Sequence, residues 1–204
     1  DLITDWIVLT SDLPLVGEEA LRANKARVWG YIANQPTSPY ANCFIESSWT
    51  GLRSLAGAQA LAVKLDGLLY YAVNKWCAGA SPLEERPLLQ FATANDHSGN
   101  GVGWLVYPGK AGPLASMRLE ALRQGLQDHT TARLLGHLAQ KAAKRGGKAA
   151  GLASQAQAAL ATKAGPASSF TDYSQEPEDY EAWHLKLSRL TAQLTTVLDE
   201  SPED

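Results

Sequence analysis

Two short stretches of the 204-residue sequence set aromatic side chains beside amides: Tyr31, Tyr40 and Asn42 in the first, Tyr71, Asn74 and Trp76 in the second. A pyranose ring presents apolar C–H faces and a rim of hydroxyls. A site for it therefore needs aromatic platforms next to fixed hydrogen-bonding groups. An Asn can hold a ring hydroxyl with one donor and one acceptor side, and a Tyr hydroxyl can donate or accept at the same rim. Asn42 has the competing task of bracing its own loop through backbone bonds. Trp29, Tyr70 and Tyr107 lie within predicted strands and read as core fillers.

Acid/base work needs positioned carboxylates, and a pair that directly follows a strand would be the candidate. The pairs Glu18–Glu19, Glu84–Glu85 and Glu178–Asp179 fall in a predicted helix, a Pro-flanked loop and a helix start, where structural roles explain them. Asp66 precedes its strand. Asp12 and Asp96 follow strand ends, and Asp12 is the more interesting of the two, with a solvated or helix-capping turn as the alternative. His97 is a lone loop histidine near Asp96. His129, His137 and His184 lack metal-ligand spacing, so neither a metal nor a cofactor is expected.

The balance of 18 Lys+Arg against 21 Asp+Glu offers no basic stripe for a phosphate backbone, so no nucleic acid is expected. Cys43 and Cys77 lack CxxC spacing and read as free buried thiols. No apolar run approaches the roughly 20 residues that span a bilayer, so no membrane is expected either. The chain opens at Asp1 and is already in an apolar run by Ile3. The expectation is that its true N-terminus lies elsewhere and that any signal would be lost upstream, which leaves localisation open, with a secreted or periplasmic parent as one option.

Positioning these groups falls to alternating strands and helices. Trp6 to Leu9 reads as a strand buried on both faces, Glu18 to Arg22 as a helix, and Arg27 to Ile32 as a second strand. A Pro-containing loop leads to a helix near Leu52 to Leu65, then to a third strand from Leu68 to Val73. A long excursion from Asn74 to Asn100 precedes a fourth strand, Trp104 to Tyr107, and a helix from Ser116 with Leu119, Leu122, Leu126, Leu134 and Leu135 on one face. Alternation of this kind implies an α/β fold with a parallel sheet. About four βα units is half of a (β/α)8 TIM barrel, which takes about 250 residues. Residues 1–140 are therefore expected to be a half barrel. Residues 141–204 are expected to be an Ala/Lys-rich helical extension, with a linker near Gly165–Pro166 and an outer amphipathic helix from Glu178 to Leu198.

Four consecutive blocks then resemble the catalytic domain of glycoside hydrolase family 123. They are Val28–Trp29–Gly30–Tyr31, PYANCFIE from Pro39 to Glu46, DGLLYYAVNKW from Asp66 to Trp76, and NGVGWLVYPG from Asn100 to Gly109 leading into Ser116 to Gly125. The resemblance covers roughly residues 3 to 135 and corresponds to the C-terminal part of the barrel. It implies a β-N-acetylgalactosaminidase-like activity by a substrate-assisted, retaining mechanism. There the substrate's acetamido oxygen attacks the anomeric carbon, an Asp orients that group and an adjacent Glu protonates the leaving oxygen. The family's Asp–Glu pair belongs upstream of all matched blocks, so no catalytic residue is expected in this chain.

Tyr31, Tyr40, Asn42, Tyr71, Asn74, Trp76 and, more weakly, Asp12 are the candidate contacts to an N-acetylhexosaminide. The partners expected are carbohydrate and the missing N-terminal half of the barrel. Two departures from the family pattern stand out: Val102 sits where the family often has Asp, and Gly30 and Tyr71 sit where larger aromatics are frequent. Arg118, Glu120 and Arg123 are expected to form ion pairs that fix the last barrel helix. The alternatives are a non-catalytic carbohydrate-binding or structural relative, or an inactive truncated product.

Overall fold

The computed structural model describes residues 3–17, 25–75 and 101–200. The expected helix at Glu18 to Arg22, most of the excursion after Asn74, and with them Trp76, Cys77, Glu84–Glu85, Asp96 and His97, lie outside the described residues.

The fold is α/β. Strands β1 (Asp5–Leu9), β2 (Arg27–Ile32) and β3 (Gly67–Tyr70) form a parallel sheet in the order β1-β2-β3, the register pairing Leu9 with Tyr31 and Tyr31 with Leu69. A short helix α1 (Leu13–Val16) follows β1. Between β2 and β3 runs one helical rod: α2 (Trp49–Ser54), a π-helical stretch (Leu55–Gln59) and α3 (Ala60–Ala62).

Pleating sends alternate side chains to opposite faces of the sheet. Val28 and Ile32 point to the helix side and pack with Leu52, Leu55 and Leu65, with Trp6, Val8 and Leu68 against them. Gly30 is on this side too, where an added Cβ would lie 2.9 Å from Leu65 Cδ1. The larger residue that the family pattern suggests there would have to displace the core. The opposite face carries the rows Ile7–Trp29–Gly67 and Leu9–Tyr31–Leu69. Ile7 on that face is 54% exposed, which corrects the expectation of a strand buried on both sides.

The expected fourth parallel strand is also corrected. Strand β4 (Val106–Gly109) pairs antiparallel with β5 (Gly112–Ala115) in a separate two-stranded sheet. Pro108 has no N–H to offer a central ladder, and only Lys110 and Ala111 separate Gly109 from Gly112, a connection short enough for an antiparallel hairpin alone. The residues just before β4 still reach the main sheet's end, where the Leu105 and Val106 N–H groups both donate to the Val73 carbonyl at 2.9 Å.

Helix α4 (Met117–Arg145) is capped by Ser116, whose hydroxyl accepts from the Leu119 N–H, and it ends at Gly146 with φ 81°. Its buried stripe is made of small residues, Ala121, Gly125, Ala132 and Ala139, together with Leu135, while Leu126 and Leu134 are exposed. The expected leucine face is thus corrected. Gly125 explains why: an added Cβ would lie 2.4 Å from the Arg53 carbonyl, so backbone meets backbone where bulky side chains could not fit.

Helix α4 continues past Gln140, then α5 (Gly147–Ala159) and α6 (Pro177–Asp199) pack against it around Leu135, Ala153, Tyr180, Leu187 and Leu194. Pro177 opens α6 with Glu178 and Asp179 in the first turn, as the helix dipole favours. Phe170, in the segment before α6, is buried in the cluster beneath the sheet. No described helix is long and apolar enough to cross a membrane.

Candidate carbohydrate site

The three parallel strands end together, so the segments that follow them share one end of the sheet. Tyr31 stands in the last row of the open face, half-buried between Leu9 and Leu69. Tyr71 follows β3 directly, donates its N–H to the Ile32 carbonyl and is exposed. The Lys75 ammonium lies 5.0 Å from the centroid of the Tyr71 ring, a cation–π distance. Asn74 is exposed and forms an isolated antiparallel bridge with Trp104. Tyr31, Tyr71 and Asn74 are thus brought to one end, and Asp12, at the start of α1 beyond β1, belongs to that end as well. The Asp12 carboxylate accepts from the Ser11 hydroxyl at 3.0 Å and makes no cap bond to α1.

Two other candidates are placed differently. Asn42 is 2% exposed; its amide donates to the Pro36 carbonyl at 2.7 Å and accepts from the Cys43 N–H at 2.6 Å. It braces the loop that follows β2. Tyr40, in the same loop, packs against the helix-side core and lines two cavities on the flank of the sheet.

Arg118 holds the site's loops together. Its guanidinium, 7% exposed, donates to the carbonyls of Cys43, Gly101 and Trp104 and to the Tyr107 hydroxyl. The expectation of ion pairing for Arg118 is corrected: among the described residues its bonds are to neutral oxygens. Glu120 and Arg123 do pair, at 2.6 Å, but on the exposed side of α4. A sequence signal for Arg118 existed. A cation in the first turn of a helix opposes the macrodipole, so it needs a stronger reason to be there.

Close to this clamp, the Cys43 thiol is buried and its pKa is pushed up to about 12 by that burial, against the opposing pull of Arg118. Burial likewise raises the Tyr70 hydroxyl, which accepts from the Gly103 N–H at 2.8 Å. Both stay protonated at neutral pH. Val102 is buried, so an Asp at this position would carry a charge into the same packed region.

Among acidic pairs, sequence reasoning passed over Asp199–Glu200. It lies at the end of α6, where the Glu200 N–H closes on the Thr196 carbonyl. It also missed Tyr173, whose hydroxyl donates to the Pro39 carbonyl at 3.4 Å and whose ring sits over Gly51. An isolated Tyr in a Ser/Asp-rich turn carries no periodicity that could have marked it.

No curated protein matches the chain. The family model for "Glycoside hydrolase 123, catalytic domain" matches residues 2–135, a span that includes all three parallel strands, the hairpin and the first half of α4. The chain belongs to glycoside hydrolase family 123.

Proposed function

We propose that the chain is the C-terminal half of a (β/α)8 barrel from a hydrolase of β-linked N-acetylhexosamine, with N-acetylgalactosamine as the sugar. It supplies part of the substrate pocket, and the acid/base pair comes from the upstream half. Residues 1–140 form the half barrel, and 141–204 are its helical extension. The observation that carries this reading is the open apolar face of the parallel sheet. Among the described residues helices cover one side, Ile7 and Leu69 stay exposed on the other, and β1 and β3 have a ladder partner on one side each. A barrel interior is filled by such inward rows, and its C-terminal end is where substrate binds.

In this reading Tyr31 and Tyr71 flank the sugar's apolar faces and Asn74 takes a hydroxyl or the acetamido group; Trp76, two positions further along the sequence, is a further candidate. Asn42 and Arg118 act one step back by fixing the loops. The acetamido oxygen attacks the anomeric carbon and forms an oxazoline-like ring. The leaving oxygen takes its proton from the upstream Glu, and water then reopens the ring with net retention.

The reading is tested by joining the chain to the region encoded upstream of it. Release of nitrophenol from the β-N-acetylgalactosaminide is expected from the joined protein, with Tyr31→Ala and Tyr71→Ala each raising KM. Unchanged kinetics in both variants would refute the placement of the sugar at this end of the sheet.

A further inference from the structure

On the flank of the sheet that the helices cover, a cavity of about 530 Å³ opens between the loop after β2 and the segment before α6, and Tyr31, Tyr71 and Asn74 are not among its lining residues. Tyr40, Phe44 and Tyr173 give it aromatic walls, and Ser38, Ser47 and the Gln175 amide stand among its polar lining groups. We propose that this cavity is a second binding site, for a neutral saccharide of one or two pyranose rings.

Three observations carry the proposal. First, the lining combines half-buried tyrosines with hydroxyls and an amide, the pairing that suits a ring with apolar faces and a hydroxyl rim. The volume lies in the range of small-molecule sites, roughly 300–1,000 Å³. Second, the described lining residues include no Lys or Arg, and Glu46 contributes the one carboxylate. Phosphorylated or acidic ligands are therefore disfavoured, and a neutral one is selected.

Third, the cavity is built rather than left over. Its two walls come from residues 37–51 and 171–175, and specific bonds hold them together. Tyr173 donates to the Pro39 carbonyl, the Thr50 hydroxyl donates to the Gln175 carbonyl at 3.3 Å, and Phe170 anchors the second wall in the core. The wall at 37–51 lies inside the family match at residues 2–135 and the wall at 171–175 lies beyond it, so the cavity joins the matched region to the segment before α6. A sugar bound here would touch none of Tyr31, Tyr71 and Asn74. The proposal does not depend on catalysis there.

The test is a titration of the ¹⁵N-labelled full chain with N-acetylgalactosamine and, separately, with glucose 6-phosphate, to about 50 mM. That range fills a weak site with a Kd of about 1–10 mM. Saturable amide shifts are expected for residues 37–48 and 171–175 with the neutral sugar, and at least tenfold weaker binding with the phosphorylated one. Tyr173→Ala, which removes a wall, and Gln175→Ala, an exposed change that leaves the fold intact, should each weaken the neutral sugar at least threefold. No saturable shift, shifts confined to Tyr31, Leu69 and Tyr71, or wild-type binding by both variants would overturn the flank site. The second of those outcomes would still favour the reading of the sheet's end, so the two proposals fail separately.

Discussion

The Arg53 guanidinium and the Asp128 carboxylate, 75 positions apart, meet at 2.7 Å with side chains only 4% and 1% exposed. Asp128 also accepts from or pairs with His184 Nδ1 at 2.7 Å, and Arg53 reaches Glu181, so one buried pair ties α2, α4 and α6 together. The family-matched region and the extension meet at this point.

Asp128→Asn should destabilise the chain by about 3 kcal/mol, because it leaves a buried guanidinium without its buried counter-charge. The urea midpoint measures this. A loss below about 1 kcal/mol would mean that the extension is not anchored through this pair.

Arg118→Met should cost about 3 kcal/mol, since the carbonyls of Cys43, Gly101 and Trp104 lose their shared donor. Arg118→Lys should fall between the two, as an ammonium keeps the charge without the planar fork. Amide exchange in residues 41–48 and 101–107 should quicken in both variants before global unfolding does.

Gln59 in the π-helical stretch is fully buried, and among the described residues neither polar atom of its side-chain amide has a hydrogen-bond partner. Gln59→Met keeps the length and removes the desolvated polar group, so a gain of about 1–2 kcal/mol in thermal or urea stability is expected. A loss instead would show that the amide has a partner in solution.

His129 has its pKa lowered by burial and by Arg133. The unfolded chain therefore takes up a proton near the ordinary value of 6.5 before the folded chain does. The contribution of neutral His129 is complete above that value and is lost as pH falls from it through the lowered folded value. His129→Gln should flatten the fall in stability below about pH 6.5, read as midpoint against pH.

Where local pattern and tertiary demand agree, the fold is legible in the sequence. The strands at Asp5–Leu9 and Arg27–Ile32 and the helix opened by Pro177 match their periodicity and caps. Leu126 and Leu134 misled because helix α4 packs through Gly125 and alanines, and close approach of backbones leaves no trace in hydrophobic period. The hairpin at Val106–Ala115 was hidden because a short apolar run does not state its partner's direction. For the candidate site, residue type located Tyr31 and Tyr71 at one end of the sheet. The buried brace at Asn42, the neutral clamp of Arg118 and the flank position of Tyr40 depend on which groups lack other partners, a property of the folded chain alone.

Under the proposed function this chain supplies a sugar pocket and draws its acid/base pair from the upstream half of the barrel. The most direct test is the turnover of p-nitrophenyl N-acetyl-β-galactosaminide by the chain alone beside the chain joined to its upstream region. The expected result is no nitrophenol from the first and steady release from the second; robust turnover by the chain alone, abolished by Asp12→Ala, would contradict the account.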